Sequence, residues 1–434
     1  MLSLSHQSGR TTDSPISYFI RKAIETPGLL SLAAGLVDEG SLPAAEVGQA
    51  VAEIMADPAA ARAALQYGST QGLPRLRDKL VRRVCAADGT TPAAMSLSAD
   101  DVVLTTGSQQ LLYILGEVLF DPGDIVVAEA PSYFVYHDCL KSHGAKVLGV
   151  PMDAGGMNLD ALDDLLGRLA ASGELKRVKL LYTVDYFQNP TGLSLAADRR
   201  PRLVELARKY SERAGHRILI LEDAAYRELR YDGPDLPSVK SFDPGNEFVV
   251  YTSTFSKPLA PGLKTGYALM PSDLVGPVCN LKGNHDFGST NLSQHVIDWL
   301  LTSGAYDRHV SHLRDVYRVK RDALLAALAE EFADFPGVRW TKAGGGLYSW
   351  LTFPPHIDTG NGGELVDRAV AAGVLYVPGE FGHVPDEFGN TPRNEARLSF
   401  GVAAPEQLRE GVRRLRTACR GLEVAKRERV AVGI

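Results

Sequence analysis

The sequence predicts an α/β protein: a large domain built on a mostly parallel sheet covered by helices, and a smaller α+β domain after it. Three observations carry this. Between about 98 and 270, short apolar runs alternate with longer amphipathic stretches. Near 305 to 332 a helical period takes over, and from about 330 to 420 strands and helices mix.

Residues 1 to about 40 show no strong period and hold turn signals such as Thr26-Pro27-Gly28, which suits an arm lying over the rest of the molecule. The apolar runs are Val102-Val103-Leu104, Ile125-Val126-Val127, Val178 to Tyr182, Ile218 to Leu221, Phe248 to Tyr251 and Tyr267 to Met270. Continuous rather than alternating apolar strands, separated by helical stretches, are what a parallel sheet buried on both faces requires. Val310, Leu313, Val316, Tyr317, Leu324, Leu325 and Leu328 share related faces of a long helix leading out of this core. Beyond it lie predicted strands at Leu347 to Phe353 and Arg397 to Phe400, and helices at Gly363 to Ala372 and Pro405 to Cys419. The tail after about 422 is expected to fray. The expected division is an arm over 1–40, a large domain over 41–305, and a connecting helix with a small domain over 306–434.

The 434 residues suit two or three domains at roughly 100 to 200 residues each. With 46 basic and 52 acidic residues the formal charge is −6, so neither nucleic acid nor an anionic membrane is attracted as a whole. Any anionic ligand must be held by local groups. Cys85, Cys139, Cys279 and Cys419 are far apart and form no CxxC pair, which argues against a disulfide framework or a thiolate zinc site. The apolar run Leu29 to Val37 is too short to span a bilayer, and the chain reads as cytoplasmic.

Ligands of an open parallel sheet bind beyond the carboxyl ends of its strands, so the residues after each run matter most. Thr105-Thr106-Gly107-Ser108-Gln109-Gln110 opens a helix whose free N–H groups suit a phosphate; alone, Ser108 could equally be an N-cap. Ala130-Pro131-Ser132-Tyr133 offers an aromatic plate or a packed loop. Gln188-Asn189-Pro190-Thr191-Gly192 is a turn first and a ligand contact second. Glu222-Asp223 with Tyr226 places a carboxylate and a phenol at one strand end. Thr254-Phe255-Ser256-Lys257 places an amine at the rim; alone it reads first as a solvated surface charge, whereas partial desolvation beside Lys264 would make it a nucleophile for a carbonyl. Together these five ends describe a planar, phosphorylated, pyridine-containing aldehyde.

These residues resemble the fold-type I pyridoxal phosphate enzymes, and specifically the class I/II aminotransferases, over about Ser31 to Arg416. The further pieces stand in the family's order: Leu65-Gln66-Tyr67-Gly68 with Gly72-Leu73-Pro74-Arg75-Leu76-Arg77, Pro122-Gly123-Asp124, Pro261-Gly262-Leu263, and Ala396-Arg397-Leu398-Ser399-Phe400. Ser8-Gly9-Arg10 and Gly107-Ser108-Gln109-Gln110 are similar to the aminoadipate/kynurenine aminotransferase subgroup. The resemblance implies a seven-stranded-type sheet and pyridoxal 5'-phosphate as cofactor, with the amino group of an L-amino acid passing to a 2-oxo acid by ping-pong exchange.

It also implies roles. Lys257 would form the imine with the cofactor and shuttle the proton. Asp223 would pair with the pyridine nitrogen, Asn189 and Tyr226 would bond the ring hydroxyl, and Tyr133 would stack on the ring. Ser108, Gln109, Thr254, Ser256 and Lys264 would surround the phosphate, with Tyr67 joining from the second subunit of a homodimer. Arg397 would clamp the substrate carboxylate beside Asn189, and Gly35 in the arm would let backbone approach it.

The sequence departs from the family pattern at Lys264, where arginine is common, at Ala224, where an acid is, and at Val37-Asp38, where a proline-containing turn is usual. The same fold could run a lyase, decarboxylase or racemase reaction. The sensor half of a transcription regulator would need a DNA-binding domain, for which about 40 residues before the first motif leave no room. No metal site is expected: His309 and His312 on the connecting helix lack a third ligand and read as a solvated face, and Gly344-Gly345-Gly346 reads as a tight entry to a strand.

Overall fold

A computed structural model describes residues 2–11, 28–386, 388–420 and 422. The expected turn at Thr26-Pro27 and the tail beyond 422 lie outside the described residues.

Strand β1 (Leu30–Ser31) belongs to the arm. The large sheet follows with β2 (Val102–Thr105), β3 (Ile125–Ala130), β4 (Lys146–Asp153) and β5 (Gly156–Met157), then β6 (Val178–Thr183), β7 (Leu219–Asp223), β8 (Val249–Thr254) and β9 (Gly266–Leu269). Their spatial order is β2-β9-β8-β7-β6-β3-β4-β5. Strands β8, β7, β6, β3 and β4 pair in parallel, and β9 runs antiparallel to both its neighbours. All six apolar runs of the sequence form strands of this sheet. Every residue of β7 and β8 is buried, which is why their first residues read as apolar runs, while Glu222-Asp223 and Thr252-Ser253-Thr254 at their carboxyl ends are buried polar groups.

Two strands of this sheet were not legible. In β4 only Val150 is buried, with Lys146, Gly149, Pro151 and Asp153 exposed, the pattern of a strand near a sheet edge. The two-residue β5 pairs with its end and adds an eighth strand to the seven-stranded expectation.

A helix over Ala305–Glu331 leads out of the sheet with Val310, Leu313, Tyr317, Leu324 and Leu328 buried. His312 is exposed, as a solvated face requires, but His309 is buried, so that half of the reading is corrected. Burial lowers the His309 imidazole from its ordinary value, keeping it neutral.

The second sheet, in the small domain, holds β10 (Arg339–Trp340) and β11 (Tyr348–Thr352). Next in the chain, β12 (Val374–Leu375) pairs in parallel with β1 of the arm. Then β13 (Val377–Pro378) and β14 (Glu395–Ser399) complete the second sheet, all antiparallel in the order β10-β11-β14-β13. Leu32 is fully buried, accepts from the Ser399 amide at 2.7 Å and donates to Leu375 O at 2.8 Å, so the arm is stitched into the small domain.

Candidate active site

The carboxyl ends of β2, β3, β6, β7 and β8 converge on a cavity of ≈ 180 Å³. Ser108 and Gln109 line it from the first turn of the helix Ser108–Leu119, which the Gly107 turn, at φ 73°, leads into. Free N–H groups at a helix start carry partial positive charge, and no acid occupies this first turn. Opposite stand Thr254 and Ser256, whose hydroxyls meet at 2.9 Å, and Lys264. Strand β9 passes directly behind: a Cβ on Gly266 would lie 2.6 Å from Ser108 N and 2.7 Å from Gly107 C, so only glycine admits this approach. Thr106 and Gln110 bond Asp286, which fixes the turn from outside.

Asp223 ends β7 and is buried. Tyr182 donates its hydroxyl to Asp223 Oδ2 at 3.1 Å, and the Ala225 amide donates to Oδ1 at 3.2 Å. Burial pushes its carboxyl up to about 6, against these hydrogen bonds, so a cationic partner placed in the cavity is favoured. Tyr133 lines the same cavity, its hydroxyl 3.5 Å from Gln109 Oε1. Tyr226 lines it from the loop after β7, and burial holds its phenol well above the usual range.

Asn189 is aimed by a buried acid that the sequence reading passed over. Glu129 at the end of β3 accepts from the Thr183 hydroxyl (2.6 Å), the Val184 amide (3.1 Å) and the Gln188 side chain. It thereby ties down the turn that presents Asn189, and its burial raises its carboxyl to about 7.

Lys257, just past β8, donates from Nζ to Gly35 O of the arm at 2.9 Å. Arg397 on β14 is only 2% exposed; its Nη1 donates to Asn189 Oδ1 at 2.9 Å and its Nη2 to Ala33 O at 2.7 Å. Its buried Nε has no hydrogen-bond partner among the described residues. The arm reaches this position because Asp38 anchors it to the long helix: its amide donates to the Tyr317 hydroxyl at 2.9 Å and its carboxylate pairs with Lys320. That is what the departure at Val37-Asp38 does here.

Of the expected residues, Tyr67 alone stands apart, 84% exposed on the surface near Phe287. Two tyrosines were missed. Tyr182 follows Leu180-Leu181 in a buried strand, where a buried phenol needs a polar partner, and that need was the available signal. Tyr348, on β11, has its hydroxyl 3.4 Å from that of Tyr226 and its ring 4.4 Å from the Arg397 guanidinium; nothing in its sequence context marks it.

A larger cavity of ≈ 680 Å³ lies elsewhere, lined by Arg83, Arg227 and Arg314. Its cations are engaged by Glu228, Asp307 and Asp88, and none of the site residues above lines it. Among the described residues no group of three or more His, Cys, Asp or Glu side chains is placed to hold a metal. No helix among them is long and apolar enough to cross a membrane.

A lysine, a buried aspartate and an anion cradle at the strand ends of this sheet define a pyridoxal phosphate enzyme of fold type I. The chain belongs to the aminotransferase class I and II family, whose profile matches residues 27–415. Aromatic-amino-acid aminotransferase 1 of Thermococcus litoralis is 37% identical over 397 residues, 91% of this chain and 88% of that protein. The solved kynurenine aminotransferase of Pyrococcus horikoshii, in complex with PMP, superposes with a TM-score of 0.86 at 33% identity over 97% of each chain. The α-aminoadipate aminotransferase LysN of Thermus thermophilus, complexed with N-(5'-phosphopyridoxyl)-L-leucine, gives 0.81 at 31% identity over 97% of this chain and 99% of that one. The protein is a pyridoxal phosphate-dependent aminotransferase, and the lyase, decarboxylase and racemase alternative is set aside.

Proposed function

We propose that Lys257 holds the cofactor aldehyde covalently and moves the proton of the substrate Cα, and that the donor is an L-amino acid, aromatic ones being the first to test. The single observation that carries this is the Lys257 amine at the mouth of the cavity, which Asp223 also lines, with its Nζ on the arm that Arg397 holds. The donor class is supported by the name of the Thermococcus litoralis relative.

Bound there, the cofactor supplies an electron-accepting ring that drains charge from the bond being broken. The chain supplies the rest. Asp223 neutralises the ring nitrogen's positive charge, Tyr133 covers one face, and Asn189 and Tyr226 donate to the ring oxygen. Ser108, Gln109, Thr254, Ser256 and Lys264 hold the phosphate, Lys264 as a point charge rather than a fork. Arg397 turns from Ala33 O and Asn189 toward the substrate carboxylate, and so fixes which bond at Cα faces Lys257. Gly35 leaves the room for that carboxylate, since a Cβ there would lie 2.8 Å from the Tyr348 hydroxyl.

The exposed Tyr67 supports a homodimer in which each copy lends this phenol to the other's phosphate site. The separate sheets support the division into arm, large and small domains at 1–40, 41–305 and 306–434. The composition supports a cytoplasmic protein.

The test is a panel of amino acids mixed with purified protein, following the cofactor's absorbance, with Lys257→Ala as control. Borohydride reduction and peptide mapping are expected to place the label on Lys257; a label elsewhere, or full turnover by the variant, overturns the reading.

A further inference from the structure

We infer that Tyr348 is a positioning residue whose hydroxyl donates to that of Tyr226 and thereby aims the Tyr226 proton at the cofactor's ring oxygen. The inference rests on the function proposed above and adds a residue that no part of it uses.

Tyr226 has one hydroxyl proton. If that proton goes to the ring oxygen, Tyr226 is left as an acceptor, and Tyr348 is the group whose hydroxyl faces it, at 3.4 Å with the rings edge-on at 78°. The separation is longer than the usual range of about 2.5 to 3.0 Å for an O–H···O bond, so the two hydroxyls must draw together for this role.

Tyr348 is unusually well fixed for this task. It is 1% exposed, and its ring lies under the Arg397 guanidinium at 4.4 Å. On the arm side Gly35 faces the hydroxyl, where a Cβ would lie 2.8 Å from it, and on the backbone side a Cβ on Gly192 would lie 2.5 Å from the Tyr348 carbonyl oxygen. Its register opposite Ser399 on β14 keeps it two residues from the strand partner of Arg397, Trp350. Tyr348 belongs to the small sheet and Tyr226 follows a strand of the large one, so this pair links the residue that binds the carboxylate to the residue that contacts the ring.

The charged and titratable groups facing Tyr348 are Arg397, Lys257, Tyr226, Tyr133 and Tyr317. Burial pushes the Tyr348 phenol up, but Arg397, Lys257 and the hydrogen bond from Tyr226 together leave it below its ordinary value. Its partner Tyr226 moves the opposite way, mainly through burial. In the chain alone the Tyr226 hydroxyl donates to Tyr348; once the Tyr226 proton turns to the ring oxygen the bond must reverse, with Tyr348 as its donor.

The experiment is a pH titration of the bound cofactor's visible absorption in the holoenzyme, in Tyr348→Phe, in Tyr226→Phe and in the double variant. Phenylalanine keeps the ring under Arg397 and removes only the hydroxyl. A ring oxygen that receives a weaker hydrogen bond keeps its proton more tightly, so Tyr348→Phe is expected to raise the midpoint by about half to one pH unit. Tyr226→Phe is expected to raise it further, and the double variant to match Tyr226→Phe. A midpoint unchanged in Tyr348→Phe, or shifts that add in the double variant, would overturn the inference while leaving the proposed function intact. A parent enzyme with no titrating visible band would overturn the function and the inference with it.

Discussion

Arg397 Nη1 lies 2.9 Å from Asn189 Oδ1, a hydrogen bond from the small sheet to the loop after β6. The same guanidinium holds the arm at Ala33, so one side chain joins three parts of the chain and still has a buried donor to offer. Replacing it with lysine keeps the charge and loses the fork. Arg397→Lys is expected to lower kcat/KM for the amino donor about 10- to 100-fold, mostly through KM, since charge-assisted bonds contribute about 1.5 to 3 kcal/mol each. Steady-state kinetics on parent and variant measure this; equal KM values would remove the carboxylate role.

Glu129 gives the protein a pH-dependent stability. Its folded value, about 7, is raised above the ordinary 4.5. A raised carboxyl contributes stability that is fully present below the unfolded value and is lost as pH rises through the folded one. The cofactor-free protein is therefore expected to melt at lower temperature at pH 8 than at pH 5, Glu129 accounting for up to about 3 kcal/mol. Glu129→Gln is expected to flatten that slope, which thermal melts across this window would show.

Asp223, raised to about 6, adds to the same slope in the cofactor-free protein. A cation at the pyridine nitrogen reverses its preference, so cofactor binding is expected to weaken as pH falls through about 6. In Asp223→Asn the dissociation constant is expected to rise about 10- to 100-fold at neutral pH. Equilibrium dialysis of cofactor against pH, parent beside variant, measures both.

Gly266→Ala tests the cradle from behind. The added methyl would meet backbone atoms of Gly107 and Ser108, which cannot swing aside as a flexible side chain could. Overpacking of this kind costs about 1 to 3 kcal/mol, and here it moves the helix start that faces the phosphate. Weaker cofactor retention on gel filtration is the expected result, and normal retention would show that β9 can yield.

Tyr67 separates a surface residue from an interface one. At 84% exposure in the single chain, Tyr67→Ala is expected to change monomer stability by less than about 0.5 kcal/mol. If the phenol serves a second copy, cofactor affinity falls several-fold while sedimentation still shows twice the chain mass. Unchanged affinity would return Tyr67 to the ordinary surface.

The buried middle of the large sheet was legible because strands covered on both faces are apolar along their middles, as β7 is over Leu219 to Leu221 and β8 over Val249 to Tyr251 before each turns polar at its carboxyl end. So was the cavity floor, because ligand groups collect at strand ends and Ser108, Asn189, Asp223 and Lys257 each follow an apolar run closely. The half-exposed β4 was hidden by its glycine and proline. His309 looked solvated because His312, three residues on and about 60 degrees round the helix, is; the boundary between the buried and exposed sides falls between them. Tyr348 and Glu129 were illegible for a different reason: each acts through a residue distant in sequence, Tyr226 and Asn189, and only folding brings the partners together.

The arm from Leu30 to Asp38 is roofing laid across a floor of strand ends, nailed to β12, β14 and the long helix and resting on Lys257 only through the Gly35 carbonyl. Floor and roof therefore answer to different demands. Leu36 is 56% exposed, so a change of its side chain alters the roof's outer surface, while the Ala33 and Gly35 carbonyls, being backbone, keep their hold on Arg397 and Lys257.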